Sequence, residues 1–212
     1  MRHVIWDWNG TLVDDLPVVV AAVNRSLAAI GEGPIDADDY RDHYTRPVRV
    51  FYDRLLSRPV TDAEWEEINA TFHLTYVNAL SRVPLTSDAV AAIDLVAAGG
   101  ATQSILSMWA QDALVPEVTR HGIHTRMTRI DGNKRSNGDT KAALLDVHLS
   151  ALGGGSEAVM IGDSTDDAEA ARAAGIGCIV YDGGSHHRAR LDALGFTVAD
   201  TLLQAARLAL TP

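Results

Sequence analysis

The residue types best suited to chemistry stand in a short stretch near the start of the chain, Asp7-Trp8-Asn9-Gly10-Thr11. The apolar run Val4-Ile5-Trp6 comes directly before it and predicts a buried strand that ends at Asp7. A carboxylate at a strand end can act as a nucleophile, while the backbone amides of a following turn around Gly10 and Thr11 hold phosphate oxygens. Taken alone, the stretch is best interpreted as a turn, because Asn-Gly is itself a strong turn signal.

A second acidic stretch, Gly162-Asp163-Ser164-Thr165-Asp166-Asp167, follows another apolar run and precedes an alanine-rich helical segment. Capping of that helix by Ser164 or Thr165, with acids in its first turn, explains one of the three acids. Three acids beside a second acidic strand end suit a hard divalent cation better, and Mg²⁺ prefers a few carboxylates together with water and substrate phosphate. The sequence therefore predicts a Mg²⁺ site with Asp7, Asp163 and a backbone carbonyl near Asn9 as ligands.

A phosphoryl-transfer site also needs a hydroxyl and a cation that bind the non-bridging oxygens. Ser107 ends the run Ser104-Ile105-Leu106 and is a candidate for the hydroxyl, although a serine at a strand end is more often only a helix cap. Lys134 and Lys141 are the only lysines in the chain. Lys141 is favoured as the cation, because it begins a helical segment whose start should face the sheet edge, whereas Lys134 lies in a polar loop.

These residues can meet if the elements that carry them form a parallel sheet. Short apolar runs, which predict strands buried on both faces, alternate with segments of helical period. The strand runs are Val4–Asp7, Gln103–Ser107, Val159–Asp163 and Ile176–Asp182, and the helical segments are Asp88–Ala98, Gln111–Arg120, Thr140–Leu152 and Asp166–Ala174. This alternation predicts an α/β, Rossmann-like core with right-handed crossovers, in which ligands bind beyond the carboxyl ends of the strands. Asp7, Ser107 and Asp163 fall there.

Residues 16–82 interrupt this alternation, because they show helical patterns and no convincing strand run. Leu16–Ile30 is one helix candidate, and Thr61 followed by Glu64 marks the start of another. We therefore predict a core of residues 1–15 and 83–212 with an all-helical cap inserted at 16–82. Ordinary core helices are the alternative.

Composition restricts the class of protein. The 212 residues, of which 47% are apolar and 22% charged, suit one core with an insertion, and no apolar run approaches the roughly 18 residues of a membrane span. A formal net charge of −10 disfavours nucleic acid or an anionic membrane as partner. A single cysteine, Cys178, excludes an internal disulfide framework, and the N-terminal run lacks a signal-peptide core. We expect a cytoplasmic monomer or homodimer.

The four stretches, in this order, resemble the four motifs of the haloacid dehalogenase superfamily, and the helical insertion resembles the small helical cap of that family. The branch that the chain looks most like contains phosphoglycolate phosphatases and beta-phosphoglucomutases. The resemblance implies that Asp7 is the nucleophile, Ser107 the motif-two hydroxyl and Lys141 the motif-three lysine. It also implies that Asp163 and Asp167 are the acids of a Mg²⁺ site, and that the substrate is a small phosphorylated metabolite.

Asn9 departs from the pattern of the phosphatases in this family, which usually carry a second aspartate two places after the nucleophile. That aspartate protonates the leaving group and then deprotonates the attacking water. The Asn9 amide can donate a hydrogen bond and its backbone carbonyl can bind Mg²⁺, but the side chain cannot shuttle a proton. General acid and base catalysis is worth roughly 10² to 10⁴ in rate, so the sequence predicts a weakened phosphatase.

The choice of substrate is expected to depend on the insertion, where Arg46 and Arg49 are the candidate ligands for an anionic group. A solvated helix face is the alternative for each arginine. His186-His187 is a weaker metal candidate, because adjacent histidines on a helix point in different directions. Two other functions remain open: a carbon–halogen hydrolase, whose leaving group needs no proton, and a degenerate phosphate-binding or regulatory protein without turnover.

Overall fold

A parallel β-sheet forms the framework of the protein in the computed structural model, which describes residues 2–134, 140–154 and 157–211. Within these residues, six strands lie in the order β3-β2-β1-β4-β5-β6, and every neighbouring pair is parallel. The strands are β1 (His3–Trp6), β2 (Thr102–Ala110), β3 (Ile130–Asn133), β4 (Ala158–Gly162), β5 (Gly177–Tyr181) and β6 (Thr197–Ala199). The predicted α/β fold with a Rossmann-like parallel sheet is confirmed.

Helices join successive strands of the sheet, and four more helices lie within residues 16–79. They are α1 (Leu16–Ala29), α2 (Ala37–His43), α3 (Val48–Leu55), α4 (Asp62–Ala79), α5 (Ala89–Ala98), α6 (Gln111–Arg120), α7 (Lys141–Ala151), α8 (Thr165–Ala174), α9 (Arg188–Asp192) and α10 (Leu202–Leu210). Short 3₁₀ turns occupy Leu80–Arg82 and His124–Arg126. In the part of the chain that is described, no helix combines the length and the apolar character that crossing a membrane requires.

The chain divides into two compact units. The first, which we call the sheet unit, comprises Met1–Val13, Leu85–Gly184 and Arg188–Pro212. It contains the whole sheet, and its central strand β1 carries Val4, Ile5 and Trp6 with no exposed surface. Burial of both faces of β1 explains why its sequence is a continuous apolar run rather than an alternating one.

The second unit, which we call the helical unit, comprises Asp14–Pro84 together with Ser185–His187. Its described residues form helices α1 to α4, which enclose an apolar cluster of their own that includes Leu27, Phe51 and Ile68. The buried Tyr76 hydroxyl donates a 2.6 Å hydrogen bond to the Asp15 carboxylate. This unit thus has a separate core, with a buried polar contact between its first residues and α4.

Two strands and one loop correct the sequence interpretation. Strands β3 and β6 were not predicted, because Ile130–Asn133 contains one large apolar residue and Thr197–Ala199 is only three residues long. Pairing with β2 and β5, rather than local pattern, makes these segments strands. His186 and His187 do not lie on a helix: they precede α9 in an irregular segment.

Thr61 provides a test of how the helical unit is stabilised. The structure confirms the predicted capping box: the Thr61 side chain accepts from the Glu64 amide, and the Glu64 carboxylate accepts from the Thr61 amide. We expect Thr61→Ala to lower the free energy of unfolding by about 1 kcal/mol, because it removes this cap from α4. Urea denaturation followed by circular dichroism measures the change. Thr61→Ser, which keeps the hydroxyl, is the matched control, and an equal loss in both variants would contradict the capping role.

Candidate active site

Register in the sheet brings the candidate residues to one edge. Trp6, the last residue of β1, pairs with Ile105 of β2 and Ile161 of β4. Asp7 follows directly, and its amide donates a 2.8 Å hydrogen bond to the Ile161 carbonyl. Ser107 lies two residues after Ile105, and Asp163 lies two residues after Ile161. Three strands therefore deliver their polar residues to the same carboxyl edge.

Three carboxylates converge at this edge. Asp7, Asp163 and Asp167 are 5%, 1% and 0% exposed, and each offers an oxygen within 4.8 Å of the others. The Thr11 hydroxyl, also buried, lies 3.1 Å from Asp163 Oδ1 and 3.5 Å from Asp7 Oδ2. Thr11 was predicted to bind substrate, and in the structure its side chain bridges two of the acids.

Lys141 supplies the positive charge within this cluster. It is the first residue of α7, whose N-cap is the Thr140 side chain, and its Nζ contacts Oδ1 of both Asp7 and Asp167. Burial works to lower the pKa of the Lys141 ammonium, but Asp167 and Asp7 outweigh burial and raise the pKa above its ordinary value. The ammonium therefore stays charged. Lys134, the alternative lysine, is exposed, and the rest of its loop from residue 135 lies outside the described residues.

Asp167 has a local role in addition to its contact with Lys141. Its Oδ2 accepts hydrogen bonds from the Ser164 amide at 3.0 Å and the Ser164 hydroxyl at 2.6 Å, which completes a capping box at the start of α8. Gly162 makes room for this carboxylate, because a Cβ at Gly162 would lie 2.7 Å from the Asp167 Cβ. Asp167 therefore both caps α8 and belongs to the acid cluster, so the two interpretations of this stretch apply together.

The donor set fits a hard divalent cation. Burial raises the pKa of Asp7 most strongly; Lys141 opposes this effect, while Asp167 and Asp163 add to it. Three ionised carboxylates against one ammonium would leave two negative charges uncompensated in a buried site, and a bound divalent cation would balance them. Oxygen donors of this kind are the ones that Mg²⁺ prefers. Asp7 and Asp163, with Asn9 and Asp167 as further candidates, could hold it.

Ser107 lies beside Asn9 at the point where β2 becomes irregular. Between Leu106 and Ala110, β2 advances four residues while its partner β3 advances two, from Asp131 to Asn133. An irregularity of this kind redirects side chains at a strand end. The buried Ser107 hydroxyl accepts a 3.0 Å hydrogen bond from the Trp109 amide and lies 3.4 Å from Asn9 Oδ1. The sequence pattern predicted that this strand ends at Ser107, whereas β2 continues to Ala110.

Gly184, which was not among the predicted residues, packs against Asp163. A Cβ at Gly184 would lie 2.5 Å from the Asp163 Cβ and closer still to its carboxylate. Gly10, whose φ is +73°, adjoins the same carboxylate, since a Cβ there would lie 2.6 Å from Asp163 Oδ2. Gly10 was predicted as a phosphate-binding residue, and the structure adds this steric role. The sequence signal that could have identified Gly184 is the Gly183-Gly184 doublet, which directly follows the predicted strand run Ile176–Asp182.

Arg46 and Arg49 belong to the helical unit. Arg46 is exposed and precedes a cis proline, Pro47. The Arg49 guanidinium donates hydrogen bonds to the Val60 carbonyl at 2.6 Å and to Asp62 at 2.7 Å. Arg49 therefore already has partners within its own unit, and recognition of substrate by either arginine stays a prediction.

Comparison with known proteins identifies the family of the chain. Residues 1–175 match the model of the haloacid dehalogenase-like hydrolases. The chain belongs to this family. It is 27% identical over 198 residues to phosphoglycolate phosphatase 1 of Pseudomonas aeruginosa, covering 88% of this chain and 71% of that protein. It is also 27% identical over 197 residues to a phosphoglycolate phosphatase of Synechococcus elongatus, covering 90% and 88%.

Solved structures show how widely this fold is shared. A haloacid dehalogenase-like family protein from Streptococcus pneumoniae superposes with a TM-score of 0.86 at 18% identity, covering 98% of each chain. Protein tyrosine kinase A from Mycobacterium tuberculosis superposes with a TM-score of 0.82 at 21% identity, covering 100% of this chain and 98% of that one. The predicted hydrolase family is confirmed by the sequence match, while these two likenesses concern the fold alone.

Gly184→Ala tests the packing around Asp163. We expect the new methyl group to displace the Asp163 carboxylate and to weaken Mg²⁺ binding about 10- to 100-fold, as is typical when the support of a metal ligand is lost. Isothermal titration calorimetry with MgCl₂ measures the affinity. Gly183→Ala is the matched control, because the atoms nearest to its methyl group would be those at the far end of the Tyr181 side chain. Equal affinities in the two variants and the wild type would contradict the role of Gly184.

Proposed function

We propose that this protein is a Mg²⁺-dependent phosphatase that hydrolyses a small phosphorylated metabolite through an aspartyl-phosphate on Asp7. The observation that carries the proposal is the buried cluster of Asp7, Asp163 and Asp167 against Lys141 at the carboxyl edge of the sheet. It combines a nucleophile, oxygen donors for a metal and a fixed positive charge, which are the parts that phosphoryl transfer needs. The relatives named phosphoglycolate phosphatases make phosphoglycolate the first substrate to test.

In the first step, the Asp7 carboxylate attacks phosphorus, and the bond between phosphorus and the ester oxygen of the substrate breaks. The leaving oxygen departs with the electron pair of that bond and takes its proton from solvent. Lys141, already held against Asp7, stabilises the negative charge on the transferring group without reorganising. We expect the Ser107 hydroxyl, which lies 3.4 Å from Asn9 Oδ1, to donate a hydrogen bond to a phosphoryl oxygen. When bound, Mg²⁺ supplies further positive charge beside these oxygens.

In the second step, water attacks the aspartyl-phosphate, which releases inorganic phosphate and restores Asp7. A general base would accelerate this attack. Asn9 can orient a water molecule through its amide but cannot accept its proton. The proton therefore passes to solvent, and the second step is the slow one.

The two other functions are distinguished by one assay. The buried acid cluster favours phosphate chemistry over carbon–halogen hydrolysis, because a divalent cation held by these acids would stabilise the charge of a transferring phosphoryl group, and displacement of a halide transfers no such group. A panel of phosphate esters, acyl phosphates and 2-haloacids, each with and without Mg²⁺, should show Mg²⁺-dependent phosphate release. Halide release would support the carbon–halogen hydrolase, and tight phosphate binding without turnover would support a binding protein.

Asp7→Asn tests the nucleophile. We expect phosphate release to fall by about 10³-fold or more, because the variant lacks the attacking carboxylate. The fold should be retained, since the change removes one of three mutually repelling acids. Steady-state kinetics and thermal unfolding measure both effects, in protein from a host that lacks contaminating phosphatases. Asp14→Asn, at an exposed acid seven residues further along the chain, is the control, and wild-type activity in Asp7→Asn would exclude the mechanism.

Asn9 governs the balance between the two steps. Aryl and acyl phosphates should be better substrates than alkyl phosphates, because their leaving groups need little protonation. Rapid-quench experiments should then show a burst followed by slow turnover. Asn9→Asp should raise turnover by about 10²-fold and reduce the preference for good leaving groups, because it restores an acid and base.

Deamidation is the necessary control for the Asn9 experiment, since asparagine followed by glycine is chemically prone to it. Fresh and aged protein should be compared by mass spectrometry alongside the assay. If fresh protein with intact Asn9 hydrolyses alkyl phosphates as fast as Asn9→Asp does, some other group shuttles the proton and this account of Asn9 is wrong.

A further inference from the structure

A chain of polar side chains unrelated to the four motifs lies within the sheet unit. It crosses from β1 and β2 through α7 to β3. Four hydrogen bonds, each of 2.7 Å, join Thr102 Oγ1 to His3 Nδ1, His3 Nε2 to Ser104 Oγ, Ser104 Oγ to His148 Nε2, and His148 Nδ1 to Asp131 Oδ2. The Arg129 guanidinium contacts the same Asp131 oxygen. We call this chain the relay.

The position of each proton in the relay follows from the charge of Asp131 and from the neutral state of the two histidine rings. Burial works to raise the pKa of Asp131, but the hydrogen bonds from Arg129 and His148 outweigh it and lower the pKa, so Asp131 is ionised and accepts from His148 Nδ1. Burial lowers the pKa of both His148 and His3, to about 4 for His3, so both rings are neutral near pH 7. A neutral imidazole donates from one nitrogen and accepts at the other.

The assignment gives every bond one direction. Since His148 donates from Nδ1, its Nε2 accepts the Ser104 hydroxyl proton. Ser104 has one proton to give, so its oxygen must accept from His3 Nε2, and His3 Nδ1 then accepts from Thr102. Each contact thus has one donor and one acceptor, with no conflict between the two rings.

The order Asp131–His148–Ser104 is also that of a hydrolase triad, but access rules this role out. Ser104 and His148 are both 0% exposed, so a substrate cannot reach the hydroxyl. A fully paired network of this kind, buried at Ser104 and His148, instead fixes geometry, because every member is satisfied in one arrangement only. The element that it fixes is α7.

Helix α7 carries His148 and Lys141 on one face, because seven residues correspond to about two helical turns. The other buried residues of α7, Leu145 and Leu149, pack in an apolar cluster of the sheet unit. Apolar packing is non-directional and permits small shifts of a helix along or around its axis. The two hydrogen bonds of His148, to β2 and to β3, have a defined length and direction and so restrict both shifts.

We propose that His148 is a positioning residue, which acts through the relay to fix α7 against the sheet and so sets the Lys141 ammonium beside Asp7 and Asp167. The kinetic part of this inference rests on the proposed phosphatase function, whereas its spectroscopic part does not.

The scarcity of lysine makes the spectroscopic test sharp. The chain contains only Lys134 and Lys141, so protein labelled with ¹³C and ¹⁵N at lysine gives two sets of side-chain signals, and Lys134→Arg assigns them. We expect His148→Leu, and Ser104→Ala to a lesser degree, to shift the Lys141 signals and leave those of Lys134 unchanged. Val147→Leu, at the neighbouring exposed position of α7, is the matched control and should shift neither.

Kinetics and histidine spectra complete the test. His148→Leu should lower kcat by about 10- to 100-fold, as small misplacements of catalytic groups do, with Mg²⁺ affinity kept because Asp7 and Asp163 follow other elements. A loss of stability alone would lower the melting temperature without moving kcat of the folded protein. ¹⁵N spectra of wild-type protein should show the Nδ1–H tautomer for His148 and the Nε2–H tautomer for His3.

Each outcome is decisive. Folded His148→Leu with unchanged Lys141 signals and unchanged kcat would overturn the proposal, and the opposite tautomer at His148 would overturn the direction of the relay. If His148→Leu does not fold, Ser104→Ala is judged by the same signals, and wild-type signals there would overturn it. If wild-type protein proves to have no phosphatase activity, the proposed function fails and the Lys141 signals still decide the role of His148.

Discussion

The arrangement of the sheet unit depends on one electrostatic constraint: three carboxylates and one ammonium are buried together. Asp7, Asp163 and Asp167 are almost inaccessible to solvent, and the Lys141 ammonium contacts Asp7 and Asp167. Charges of this kind are tolerated only when they are paired and hydrogen-bonded. Thr11, Ser164 and the start of α7 supply those partners, and a divalent cation would supply the remaining positive charge.

Close approach of backbone is the second requirement of this cluster. Gly10, Gly162 and Gly184 each lie where a Cβ would collide with Asp163 or Asp167. Gly162 ends β4, whereas Gly10 and Gly184 lie in the loops that follow β1 and β5, and the carboxyl ends of these three strands meet at one edge because the sheet is parallel. The same convergence that brings the acids together therefore also brings together the residues that leave space for them.

The family and the reaction are separate questions for this protein. The sequence match places it among the haloacid dehalogenase-like hydrolases, while its fold is shared with a protein named as a tyrosine kinase. A common fold supports several reactions, so the proposed phosphatase activity is supported by the family match and by the chemistry of the site, and not by the fold. Within that site, Asn9 separates the capacity to form an aspartyl-phosphate from the capacity to hydrolyse it rapidly.

The sequence alone predicted the parallel α/β core, because strands buried on both faces must be apolar runs. It also predicted the limits of α6 and the N-cap of α4 at Thr61, because those signals are local. It selected Asp7, Ser107, Lys141 and Asp163 for the site through their places at strand and helix ends. Only the tertiary structure revealed β3, β6, the packing of Gly184 on Asp163 and the relay through His148. Each of these depends on a partner distant in the chain, so no local pattern encodes it.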